Sequence, residues 1–138
     1  MTVRLATLLL LASSAIAAGL PRSTAPPGAQ LYFISPQDGA TVTSPVTVRF
    51  GLRGMGIAPA GVAFGNTGHH HLLIDVGPPL FDRPIPADQQ HLHFGKGQTE
   101  AEIELAPGTH RLQLLLGDHL HVPHDPPVLS ARITITVR

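Results

Sequence analysis

The chain has 138 residues with no cysteine and no tryptophan, and Tyr32 is its only tyrosine, which excludes disulfides, thiolate metal ligands and thiol nucleophiles and leaves no stacking platform for bases. Nine Lys and Arg balance nine Asp and Glu, so there is no electrostatic footprint for nucleic acid or an anionic lipid surface. The concentrated chemical resource is a set of nine histidines.

The first stretch, "MTVRLATLLLLASSAIAAGL", carries Arg4, then the apolar run Leu5 to Ala12, then small residues ending in Ala15-Ile16-Ala17. This is the order of a secretory signal, expected over residues 1–18, and its apolar run is too short to span a bilayer. No cysteine follows it to carry a lipid anchor, and no later segment approaches the roughly 20 apolar residues of a membrane helix. Export to the periplasm or the medium is expected, without membrane insertion. Removal of Arg4 with the signal leaves a formal charge of −1. Residues 19–30, containing "PRSTAPPGAQ", are expected to be a flexible linker, and residues 31–138 a single domain.

Helical periodicity is nearly absent from that domain, whereas short alternating runs broken by Pro and Gly recur. Strands are expected over 31–43, interrupted at Pro36 and Gly39, and over 46–52, where Val46, Val48, Phe50 and Leu52 share a face. Further strands are expected over 69–76, 90–94, 98–105, 109–116 and 128–137. Leu112, Leu114 and Leu116 oppose Arg111 and Gln113, and Ile133, Ile135 and Val137 oppose Arg132, Thr134 and Thr136. One face is core and the other is wet, as in a sandwich of antiparallel sheets. The turn "APGT", residues 106–109, looks like a tight hairpin connection. The expected fold is an all-β, immunoglobulin-like antiparallel β-sandwich of about seven strands, lacking a Cys-Trp-Cys core; an open barrel or jelly roll is the alternative.

Three connections are long, 53–68, 77–97 and 117–127, and they hold or abut eight of the nine histidines. In a sandwich these connections emerge near one end, while His110 starts its strand at the other pole. Three histidine pairs have the spacing i, i+2: His69 with His71, His91 with His93, and His119 with His121. On an extended segment such residues share a face, which lets two imidazoles reach one ion. Parity sends His70 inward with Leu72 and Ile74, and leaves His69 and His71 beside Leu73. Leu73 and Leu115 are then apolar on outward faces, and the Pro-rich segment 78–94 is the candidate to cover them.

The candidate metal ligands are His69, His71, His91, His93, His121, His124 and Asp125. An all-imidazole set with optional carboxylate suits Cu(II), Zn(II) or Ni(II), with Cu(II) or Zn(II) preferred. Met55 is the only methionine after the initiator, so a thioether site for Cu(I) is not expected. The preferred role is a non-enzymatic carrier or sensor of a divalent metal ion. One alternative is a cell-envelope protein-binding or structural module whose histidines form a hydrogen-bond network. Another is a metal-dependent hydrolase using Asp118 or Asp125 as base. No Walker motif, nucleophile elbow or zinc-protease helix motif is present.

The stretches "ISPQDGATVTSPVTVRFGLRGMGIAPAG", "NTGHHHLLID", "PIPADQQHLHFGKGQTE", "APGTHRLQLLLGD" and "HVPHDPPVLS" together resemble the bacterial domain of unknown function family 4399 (DUF4399) over residues 34–137. The resemblance implies a small exported bacterial domain and carries no catalytic role. Its motifs here include His69 to His71, His91, His93, His121 and His124 with Asp125. His110 and His119 lie outside them, which shifts weight from the 119/121 pair to His121 and His124.

Overall fold

The computed structural model describes residues 18–138; the expected signal peptide, apart from Ala18, lies outside the described residues. Among the described residues there is no helix. The strands are β1 (Gln30–Ser35), β2 (Thr41–Val42), β3 (Val46–Arg53), β4 (Gly56–Ile57), β5 (Thr67–Ile74), β6 (His91–His93), β7 (Glu100–Ile103), β8 (Gly108–Gly117) and β9 (Ile133–Val137). One sheet has the order β1-β3-β7; the other has the order β2-β9-β8-β5-β4, with β6 also paired to β5. Pairing is antiparallel except for β2 with β9 and β4 with β5.

The period-2 pattern explains the two layers. Val46, Val48 and Phe50 of β3 are buried against Leu72, Leu112, Leu114, Leu116, Ile133 and Ile135 of the second sheet, forming one apolar core. Pro36, which lacks a donor, follows the last residue of β1, and Gly39, at φ 81, turns the chain towards the second sheet. There the Asp38 carboxylate accepts from the Thr134 amide at 2.7 Å, and β2 then runs beside β9.

Two expectations need correction. Residues 106–109 do not close a hairpin, because β7 pairs with β3 while β8 pairs with β5 and β9. Ile103 and Leu112 both enter the core from facing sheets, so the turn carries the chain across the sandwich. Residues 19–30 are also held in place. The Ala25 amide donates to the Asp125 carbonyl at 3.0 Å, the Asp125 amide to the Ser23 carbonyl at 2.9 Å, and the Leu20 amide to the Asp82 carbonyl at 3.0 Å. Ala25 joins the core. The composition of this segment favours coil, yet it satisfies backbone groups that the 117–127 loop would otherwise leave open.

A second, smaller apolar cluster lies on the outer face of the β5–β8 sheet. Leu73 and Leu115 pack there under Ile85, with Phe81 and Val76 at its margin. The Pro-rich segment therefore covers the outward leucines, and in doing so carries β6 alongside β5.

Candidate metal centre

The alternation of β5 places His69 and His71 on the same outer face as Leu73. Directly opposed residues of an antiparallel pair share a face. Pairing of His71 with His93 on β6 therefore brings a third imidazole to this face. On the other side, β8 sets Gly117 opposite His69 and Leu115 opposite His71. His121 arrives from the turn after β8, in the left-handed conformation at φ 66.

Glycine makes room for the rings. A Cβ at position 117 would stand 2.7 Å from His71 Cε1 and 3.4 Å from His121 Cα, and one at position 95 would collide with the His93 ring.

The four rings form one cluster. Centroid separations are 4.7 Å for His69 and His71, 5.0 Å for His69 and His93, and 5.1 Å for His71 and His93. His121 lies 4.7 Å from His93, 5.0 Å from His69 and 6.2 Å from His71. One ring nitrogen from each of His69, His71 and His93 falls within 4.8 Å of the others. His69 and His71 are fully buried, His121 is half-buried, and His93 faces solvent.

Both ring nitrogens of His69 and Nδ1 of His71 are buried with no hydrogen-bond partner among the described residues. Buried polar atoms are almost always paired; these three lie together in one cluster of imidazoles, and both ring nitrogens of His70, on the core side, are unpaired as well. Burial, followed by repulsion from His121 and His93, pulls His69 from 6.5 to about 4. Burial and then repulsion from His69, His93 and His121 pull His71 to about 2, and burial lowers His93 as well. These three imidazoles are neutral at pH 7, with ring lone pairs unprotonated.

The remaining candidates have other partners. His91 lies opposite Leu73, on the cluster's face, but its Nδ1 is 2.8 Å from the Asp88 carboxylate. His124 donates from Nε2 to the Thr67 carbonyl at 3.1 Å, and its ring packs beside Gly68 and Leu116, on the core side of the sheet. Asp125 is exposed and sits 3.6 Å from Arg22. His69, His71, His93 and His121 thus come together, whereas His91, His124 and Asp125 do not join them.

His70 points inward, its ring 4.9 Å from Phe50, and burial pulls it to about 4. His119 lines a separate cavity of about 350 Å³ with His124, Asp118 and Phe64, so the 119/121 pair is split. His110 bonds the Ala106 carbonyl at 2.8 Å and Asp75 at 2.7 Å, at the far end of β8. Another cavity, of about 580 Å³, runs along β1 and residues 127–133 and is lined by no histidine.

Sequence reasoning missed Gly117 and Gly95. The signal for Gly117 is a glycine closing an otherwise apolar strand, "LLLGD", in register with a histidine.

The family model described as Domain of unknown function (DUF4399) matches residues 48–138. No curated protein and no solved structure matches the chain.

Proposed function

We propose, on the premise that this chain belongs to the DUF4399 family, a description that assigns no activity, that the protein binds one divalent transition-metal ion, Cu(II) or Zn(II), through His69, His71, His93 and His121. The observation that carries this reading is the convergence of ring nitrogens from His69, His71 and His93 within 4.8 Å of one another, with the His121 ring beside them and three of the cluster's buried nitrogens unpaired. Neutral imidazoles are the donors such ions prefer, and two ligands on one strand with a third on its paired neighbour form a stiff frame.

The role is that of an exported carrier or sensor. His93 faces solvent and His121 is half-buried, so an ion has an open side for exchange, unlike a closed structural site. Export rests on the leader-like residues 1–18. We read the sandwich as immunoglobulin-like, with β1-β3-β7 in the places of A-B-E and β9-β8-β5 in those of G-F-C. For hydrolysis a general base is needed, but Asp118 accepts from Ser23 and two backbone amides, and Asp125 pairs with Arg22.

Equilibrium uptake by the tag-free mature protein tests the proposal. The expected result is one Cu(II) or Zn(II) per chain at pH 7, lost in His69→Ala and His71→Ala. Absence of stoichiometric uptake of copper, zinc and nickel overturns it.

A further inference from the structure

Asp118 directly follows Gly117, and the turn after β8 is wrapped around its carboxylate. Oδ1 accepts from the Leu120 amide at 2.9 Å and from the Val122 amide at 3.0 Å. Oδ2 accepts from the Ser23 hydroxyl at 2.8 Å. The Asp118 carbonyl accepts from the His121 amide at 2.8 Å, and the Asp118 amide donates to the Val122 carbonyl at 2.9 Å. The residue is 2% exposed. A buried carboxylate held by three donors is a rigid anchor, because charge-assisted hydrogen bonds are the strong ones.

The residue this anchor holds is His121. Its amide and the amides on either side of it all bond to Asp118, and its carbonyl accepts from the Ile85 amide at 2.8 Å. A histidine at φ 66 stays there only when its surroundings over-determine it. The result is an imidazole set 4.7 Å from His93 and 5.0 Å from His69.

We propose that Asp118 is the positioning residue for the fourth imidazole of the metal centre, and that Ser23 completes it by tying the N-terminal segment to the same carboxylate. This role rests on the metal-binding reading above. Asp118 acts through the backbone of the turn: its oxygens are engaged by Ser23, Leu120 and Val122, not by an imidazole.

The test combines Zn(II) affinity, from chelator competition, with the count of nitrogens coupled to Cu(II) in its electron paramagnetic resonance spectrum. Wild type is expected to show four nitrogens. Asp118→Ala is expected to show three and to bind Zn(II) about 10- to 100-fold more weakly, the scale of outer-layer effects on metal ligands. His121→Ala is expected to do the same, and the double variant to be no weaker than His121→Ala alone. Asp118→Asn keeps an acceptor oxygen for Leu120 and Val122 and is expected to retain four nitrogens. Should Asp118→Ala not fold, Ser23→Ala decides: a loss of about 3-fold or more that vanishes in the His121→Ala background supports the role. Wild-type affinity and four nitrogens in Asp118→Ala, or in Ser23→Ala, overturn it, as does a loss that adds to that of His121→Ala. Wild-type protein that takes up no metal overturns the metal reading itself, a result distinct from these.

Discussion

His71 and His93 are direct cross-strand partners on β5 and β6, their ring centroids 5.1 Å apart, although a long Pro-rich connection separates them in the chain. The pairing depends on packing remote from the histidines. Ile85 and Phe81 of that connection close over Leu73 and Leu115, and burial of this apolar patch fixes where β6 lies. Secondary structure, packing and the placement of the imidazoles are therefore one linked arrangement.

The pairing separates His93 from His91, which shares its face. His93→Ala is expected to weaken Zn(II) binding at least 10-fold, on the scale of losing a metal ligand or its support. His91→Ala should leave affinity within about 3-fold while removing the Asp88 contact and lowering the melting temperature slightly. Parallel chelator competition and thermal denaturation of the two variants check this; equal losses of affinity would place His91 among the ligands.

Backbone strain at His121 sets stability against binding. At φ 66 a side chain is disfavoured by roughly 1–2 kcal/mol, an effect partly offset in a glycine variant by greater freedom of the unfolded chain. His121→Gly is expected to raise the stability of the metal-free protein by up to about 1 kcal/mol and to weaken metal binding. Urea denaturation without metal, followed by metal competition, reads both effects.

Acid sensitivity follows from the buried imidazoles. Burial holds His69 and His70 at about 4, below their ordinary 6.5. The unfolded chain therefore binds more protons as pH falls through this interval. Stability is fully present above pH 6.5 and is lost as pH drops towards 4. His110, raised by its bonds to Ala106 and Asp75, has the opposite sign. His70→Leu removes a buried ring whose nitrogens have no partner, so it should stabilise the fold by about 1 kcal/mol and flatten the acid side of the profile. Melting temperatures between pH 7 and pH 5 test this, and an unchanged slope in His70→Leu would contradict it.

Gly117→Ala introduces a methyl 2.7 Å from His71 Cε1. The expected cost is about 1–3 kcal/mol, with weaker metal binding as the rings are displaced. Gly65→Ala, where a Cβ meets nothing within 4 Å, is the matched control and is expected to leave both properties near wild type.

Much of this arrangement follows from parity. Alternation alone sends His70 inward and keeps His69 and His71 beside Leu73, and leucines on the outer face at 73 and 115 demand a cover. Parity is blind to what a ring bonds once it faces the right way. His91 and His93 have the same spacing and share an outer face, yet Asp88, three residues before His91, captures its Nδ1. His124 and Asp125 depend on the path of an irregular loop, set by contacts with Thr67 and Arg22 that no local pattern encodes. For residues 19–30, a coil-forming composition gave no hint of the backbone partners waiting at Ser23 and Ala25.

The most direct test is a crystal structure of the protein grown with one equivalent of Zn(II), with the ion located by anomalous scattering. The predicted result is a single peak bounded by His69, His71, His93 and His121, with Zn–N distances of about 2.0–2.1 Å. A peak coordinated instead by His91, His124 or Asp125, or no peak among the four imidazoles, would contradict the account.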